Sequence, residues 1–442
     1  MSYEILVGLT GLFCLIALIA LRVPIAYAMI FVGGIGVTIL NGPAIFMSQL
    51  KDLAYIQFSI YDLSVVPMFV LMGNLSSQAG LSKELFRAAN AWIGWARGGV
   101  AMSAILSCAG FGAVCGSSLA TASTMGKVAL PELKRYNYAG SLATGTLAAG
   151  GVLGILIPPS IVLVIYAILV EANIITMFMA AFIPGALAVL LFILTIAIYV
   201  RVFPGSGPAR EAIDRQEFWS ATIGMLPVVL IFGAVIGGIY FGLFNPTPAA
   251  AVGVFLVALY GIVRGTIRLP QFKIALFDTA KTTGMIYLIL LGAEMLKIFM
   301  SRGGVPQAAA EMMATSGLSP MLILILLLIA LIILGCLMDS LSMILLAIPF
   351  FWPVVSELDF GMSAEDLKIW FGILALIVVE LGLITPPVGM NVFVISAIAE
   401  DVPMRQTFIG VVPFFIAELI RVALLVAFPV ITLWLPHYLS GI

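Results

Sequence analysis

The chain has 442 residues, 63% of them hydrophobic and only 9% charged, with a formal net charge of −1 and a mean hydropathy of +1.22. Soluble domains carry about a quarter charged residues, so this chain cannot cover itself in water, and it offers nucleic acid no basic surface. Its four cysteines (Cys14, Cys108, Cys115, Cys336) lie in apolar or Gly-rich stretches and its only histidine is His437, which excludes histidine-centred catalysis and a His-rich metal site and leaves the thiols as packing residues.

Taken in order, apolar runs long enough to cross a bilayer as helices predict spans near 4–21, 23–40 and 62–79. No Lys or Arg precedes Arg22, so the first run lacks the basic start of a cleaved leader and reads as a retained span. An amphipathic stretch, Ser82 to Trp95, follows and reads as an interfacial arm bracing a scaffold. Then come an apolar segment, 99–131, interrupted by GFGAVCGSS, a span over 139–170 interrupted at GGVLGILIPPS, and a span at 174–200. The remainder repeats this order: spans near 219–243, 247–263 and 279–300, a short helix around Val305 to Ala314, a segment over 319–354 interrupted at GCLMDSLS, a span over 368–399 interrupted at LGLITPPVG, and a last span reaching about 436.

The repetition is visible in the residues themselves. LGILIPPS at Leu153 to Ser160 matches LGLITPPV at Leu381 to Val388 at an offset of 228. Ile183-Pro184 matches Val412-Pro413 at 229, and Val23-Pro24 matches Thr247-Pro248 at 224. Three matches in one order at nearly constant offset divide the chain into two copies of one unit, 1–215 and 216–442. With the hairpins 99–131 and 319–354 re-entrant, each copy crosses the membrane five times, and an odd number of crossings sets the copies in opposite orientations. Charge supports this topology: of the 20 Lys and Arg, only Lys51, Lys297, Arg302 and Lys368 fall on the outer side and Arg421 within the last span, all others lying inside. Both termini are then expected outside.

Backbone broken within lipid must be satisfied by protein or by a water-filled cavity, and paired interruptions in inverted halves point to a transport site. The first hairpin tip offers Ser117 and Ser118, the second Asp339 and Ser340; an aspartate deep in an apolar run is a functional candidate by default. Pro158-Pro159 and Pro386-Pro387 break the other two helices and free carbonyls, with Ser160, Thr385 and Asn391 beside them. Hydroxyl, amide and carbonyl oxygens with at most one carboxylate suit a singly charged hard cation such as Na⁺; Ca²⁺ would draw more carboxylates. Glu294 with Lys297 and Glu418 with Arg421 are read as structural pairs at i,i+3 spacing, while Glu380 fits either a supporting position behind the site or an interfacial one. No phosphate-binding G-x-x-x-x-G-K-[ST] loop occurs, so ATP does not drive this chain directly.

GFGAVCGSSLATASTMG, GGVLGILIPPSIVLVIYAI and VELGLITPPVGMNVFVISAIA together resemble signature segments of the large membrane subunit of the tripartite ATP-independent periplasmic (TRAP) transporters, and the resemblance spans nearly the whole chain. It implies an all-α polytopic inner-membrane protein of two inverted repeats, an elevator-type fold, Na⁺ symport and uptake of an organic acid such as a C4-dicarboxylate or sialic acid. It also implies two partners, a periplasmic substrate-binding protein and a small four-helix membrane subunit, here expected as a separate polypeptide. Carried onto matching positions, it places Na⁺ near Ser117, Gly154, Asp339, Gly382 and Thr385, with Ser340 alongside Asp339, and the substrate carboxylate near Ser118, Ser160 and Asn391. Two other readings compete: a stand-alone Na⁺/dicarboxylate symporter of similar fold, and a polytopic membrane enzyme, which the lack of a nucleophile–base pair or a second intramembrane aspartate opposes.

Overall fold

The computed structural model describes residues 2–21, 23–209, 214–315 and 317–440; Arg22 and Arg210, counted among the inside charges, lie outside them. The described residues are helical with no strand. The stretch expected as the first copy comprises α1 (Tyr3–Ala20), α2 (Ile25–Asn41), α3 (Pro43–Phe58), α4 (Val65–Ala79), α5 (Leu81–Ile93), α6 (Gly99–Cys115), α7 (Ser118–Arg135), α8 (Gly140–Leu156), α9 (Ile161–Val170) and α10 (Ile174–Val202). In the second, α11 (Arg215–Phe232) runs through a π turn at Gly233–Gly237 into α12 (Gly238–Tyr240). Then follow α13 (Pro246–Val263), α14 (Leu269–Arg302), α15 (Val305–Thr315), α16 (Pro320–Gly335), α17 (Ser340–Ser356), α18 (Ala364–Gly382), α19 (Met390–Ile398), α20 (Met404–Ala427) and α21 (Val430–Ser440).

Among the described residues six helices are long and apolar enough to cross a membrane, and eight spans result if the bent pairs α3/α4 (59°) and α8/α9 (45°) each count as one. The expected span at 23–40 is the 17-residue α2, shorter than a typical crossing helix. The expected span over 368–399 begins instead at Ala364 and is divided into α18 and α19; four charges within α18, from Glu365 to Glu380, dilute its hydropathy. Two elements depart from expectation. Pro43–Phe58 is a helix, started by Gly42 as cap and Pro43 at its first turn, the proline's fixed φ and missing N–H being compatible only with that end. The last span stops at Ala427 rather than near 436, because Pro429 has no N–H to donate and biases Phe428 out of the helical region (φ −130°); α21 is a separate helix packed on α10.

Two bodies of helices meet around the breaks. The apolar helices α2 and α4 both pack on the 34-residue α14, and α13 packs on α4. The second body gathers the helices that carry the interruptions: α6 on α7, both on α8, α17 on α9, α18 on α16, and α10 on α20. Its centre is dry and aromatic, with Trp370, Phe371 and Phe414 almost wholly inaccessible. The buried Trp370 indole N–H still finds a partner, donating to the Leu425 carbonyl at 2.9 Å, and Phe192 of α10 meets Phe414 of α20 edge to face at 5.3 Å.

The amphipathic arm, α5, buries Leu81, Leu85 and Phe86 while its polar side reaches into the second copy. There Arg87 pairs with Glu217 (3.0 Å) and Ser220 (3.1 Å), Glu84 with Arg264 (2.9 Å), and Trp92 with Thr222 (3.0 Å). Near the end of α7, Lys134 pairs with Asp401 after α19.

Candidate functional site

Each hairpin consists of two helices packed on each other and joined at a short break, and each break exposes a helix start. Gly116 closes α6 in the left-handed conformation (φ +64°), which glycine adopts without strain. Ser117 then caps α7, its hydroxyl accepting from the Ala120 N–H at 3.4 Å. In the second hairpin Asp339 takes the same capping place at α17, accepting from Ser342 N (3.2 Å) and Ser342 Oγ (2.6 Å). The first residue inside each helix is a serine: Ser118 in α7, Ser340 in α17.

The two tips line one cavity of about 460 Å³. Ser117, Ser118, Asp339 and Ser340 stand on its wall, with Asn74 of α4 and Thr282 of α14 contributed by the other body. Asn74 is oriented from behind, its amide donating to Thr279 Oγ at 2.9 Å. No Lys or Arg lines this cavity among the described residues. Two helix N-termini and the hydroxyl oxygens are its polar equipment, and Asp339 adds a negative charge; helix starts of this kind attract anions.

Glu380 closes the site from behind. It is wholly buried in α18, and its two carboxylate oxygens are taken by different tips: Ser118 donates to Oε2 and Ser340 to Oε1. Of the two sequence readings left open for Glu380, the supporting one therefore fits the geometry. Both tip hydroxyls, their protons directed at Glu380, keep only lone pairs for anything in the cavity.

The other predicted residues take different places. Gly154 is buried against the first tip, so close that a Cβ there would stand 2.7 Å from the Ser117 carbonyl oxygen and 2.5 Å from Thr121 Oγ. Gly382 is buried against the second hairpin at Gly335 and Cys336. Ser160 is buried and caps α9, accepting from Leu163 N at 3.4 Å. Asn391, also buried, donates to the Ala148 carbonyl at 3.3 Å while its Oδ1 has no hydrogen-bond partner among the described residues. Thr385, just past the end of α18, is half-buried, and its hydroxyl donates to the Leu381 carbonyl in the last turn of that helix at 2.6 Å. Thus Ser117, Ser118, Asp339 and Ser340 come together on the cavity wall, Gly154, Ser160, Gly382 and Asn391 are buried behind it or beside the breaks, and Thr385 is bonded within its own turn. Asn74 and Thr282 were not singled out by the sequence, where each stands among other polar residues (Ser76, Ser77 and Gln78; Thr279, Lys281 and Thr283) that mask it.

The pairs read as structural are so placed. Glu294 meets Lys297 at 3.6 Å, half-exposed. Glu418 and Arg421 form a fully buried ion pair at 2.5 Å, and Arg421 also donates to the Pro184 carbonyl at 3.2 Å.

Bent apolar helices and two hairpin tips that place serines and an aspartate on one largely apolar cavity define a polytopic helical membrane protein with an internal site. Residues 12–431 match the family described as "Tripartite ATP-independent periplasmic transporter, DctM component", and the chain belongs to that family. It is 34% identical over 381 residues, 86% of this chain and 87% of the other, to the C4-dicarboxylate TRAP transporter large permease protein DctM of Pseudomonas aeruginosa. It is 30% identical over 435 residues, 98% of this chain and 99% of the other, to the sialic acid TRAP transporter large permease protein SiaM of Vibrio cholerae. In fold it is similar to the YdaH transporter of Alcanivorax borkumensis, with a TM-score of 0.61 at 14% identity over 91% of this chain and 89% of that one.

Proposed function

We propose that this chain is the permease of a Na⁺-coupled, binding-protein-dependent importer of a small organic acid in a bacterial inner membrane. The supporting observation is the composition of the cavity. An anion bound there meets Asp339 and hydroxyl lone pairs but no Lys or Arg, so positive charge must enter with it. Two helix N-termini supply about half a charge each, and a co-transported cation supplies the rest. Neutral oxygens with one carboxylate suit Na⁺. Ser117, with Gly154 packed on its carbonyl, and Asp339 with Ser340, Gly382 and Thr385, are the cation side of this reading; Ser160 and Asn391 are retained for the carboxylate. Ser118 moves toward the cation side, because its proton is engaged by Glu380.

The substrate class follows from the relatives, one of which carries C4-dicarboxylates in its name and another sialic acid. The partners are a small four-helix membrane subunit and a periplasmic binding protein, and the two copies lie inverted in the bilayer with both termini periplasmic. Transport by an elevator movement of the hairpin-bearing body against α2, α4, α13 and α14 is in keeping with the site's position between the two bodies.

Proteoliposomes holding the chain and its small subunit test this reading. Given a binding protein loaded with radiolabelled succinate or sialic acid, they should accumulate label only under an inward Na⁺ gradient. Equal uptake with K⁺ replacing Na⁺ would overturn the coupling. Uptake by the chain with neither partner would favour the stand-alone Na⁺/dicarboxylate symporter.

A further inference from the structure

The two copies match at their second breaks, yet at one position they differ in kind. Aligned through LGILIPPS and LGLITPPV, Val152 in the first copy corresponds to Glu380 in the second. The hairpin tips, by contrast, are alike: a capping side chain, Ser117 or Asp339, followed by a serine at the first helical position. Two equivalent serines therefore share one carboxylate that only one copy possesses. Ser118 lies 262 residues from Glu380 in the chain and Ser340 lies 40, so this bond pair is the direct polar link between the tips of the two copies.

The arrangement has a chemical consequence. A hydroxyl can donate one hydrogen bond and accept two. A serine whose proton is committed elsewhere shows a cavity only its lone pairs and becomes a cation ligand; a serine free to rotate can turn its proton outward and compete with that role. A buried carboxylate with one oxygen for each serine commits both protons at once, and charge-assisted bonds of this type are among the stronger ones. Loss of either bond frees the other oxygen to reorient, so the state of one tip is felt at the other.

We propose that Glu380 is a positioning residue that fixes both tip serines as lone-pair donors for the co-transported cation and so couples the cation sites of the two copies. The inference rests on the Na⁺-coupled reading above. Val152, apolar at the matching position, supplies no second anchor, and the whole coupling passes through one side chain.

The test is a Na⁺ titration of the purified full-length subunit, at ionic strength held constant with choline, read by the shift in melting temperature and by Na⁺-activated uptake. Wild type should respond steeply, with a Hill coefficient above 1. Glu380→Gln keeps the volume but offers one acceptor oxygen instead of two; it should lower the coefficient to 1 and raise the half-saturating Na⁺ by about tenfold, as expected for one lost charge-assisted hydrogen bond. Ser118→Ala and Ser340→Ala should each do the same, and neither should add to Glu380→Gln. A Glu380 that merely holds the fold would lower the melting temperature in Na⁺-free buffer and leave the Na⁺ response unchanged, and that result overturns the inference while the Na⁺ reading stands. A wild-type subunit with no Na⁺ response overturns both.

Discussion

Gly382 of α18 rests on Gly335 of α16 so closely that a methyl group on Gly382 would stand 2.5 Å from the Gly335 carbonyl carbon and 2.7 Å from its Cα. The first copy has the same contact: a Cβ on Gly112 of α6 would stand 2.5 Å from the Cα of Gly154 in α8. In both halves of the chain the first helix of the hairpin touches the broken helix backbone to backbone, next to the break.

Because the neighbours are main-chain atoms, no rotamer change relieves an added methyl. Gly382→Ala should destabilise the subunit by about 1–3 kcal/mol, the usual range for overpacking, and Gly112→Ala should do likewise. Gly284 in α14 has nothing within 4 Å of a built Cβ; Gly284→Ala should be neutral or stabilise by about 0.5–1 kcal/mol through helix propensity. Melting curves of the three purified variants in one detergent check the contrast, and equal midpoints for Gly382→Ala and Gly284→Ala would refute the packing argument.

Asp339 both caps α17 and charges the cavity, and two substitutions separate these roles. Asn caps a helix about as well as Asp, so Asp339→Asn should keep the fold and abolish Na⁺-dependent uptake. Asp339→Ala should do the same and also weaken the helix start by about 1 kcal/mol. Unchanged Na⁺ dependence in Asp339→Asn would remove Asp339 from the cation site.

The buried pair Glu418–Arg421 should be unequal to its parts. Removing Arg421 alone leaves a carboxylate without its countercharge and the Pro184 carbonyl without its donor; a loss of about 3–5 kcal/mol is expected for Arg421→Met. Replacing both, Glu418→Gln with Arg421→Met, should recover much of it, since the desolvation of two ions disappears together. A double variant no more stable than Arg421→Met would show that Arg421 acts through something other than the pair.

At the surface, the hydrogen bond from the Lys134 ammonium holds the Asp401 carboxyl below the usual carboxylate range. A depressed carboxylate stabilises the fold above its unfolded pKa, and that contribution disappears as pH falls through the lower folded value. Asp401→Asn should therefore match wild type once the pH is below the lowered folded value and differ from it most above the ordinary carboxylate range, near 4. Exposure and salt keep the difference small, and it should shrink further in 0.5 M NaCl. A difference that grows on acidification would contradict the pairing.

Much of this was legible in the chain because a bilayer enforces simple rules. Long apolar runs, matched Pro-Pro breaks and the Gly-Ser tip located the helices and interruptions, since unsatisfied backbone in lipid leaves few alternatives. What escaped was tertiary. Pro43–Phe58 carried a start signal in Gly42-Pro43, but its mixed, weakly apolar residues have no clear period. The stop at Ala427 was marked by Pro429 and overridden by the apolar run that continues past it. Glu380 was visible only as one acid at the edge of a motif. That it joins Ser118 to Ser340 depends on how two hairpins from distant parts of the chain converge, which no local spacing encodes.

The inverted arrangement of the two copies is tested most directly by labelling single cysteines, in an otherwise cysteine-free subunit, with a membrane-impermeant maleimide on intact cells. Ser2→Cys and Tyr438→Cys should label from the periplasm, and Gly205→Cys, in the connection between the copies, should label only after the inner membrane is opened. Labelling of positions 2 and 438 from opposite faces would contradict the account.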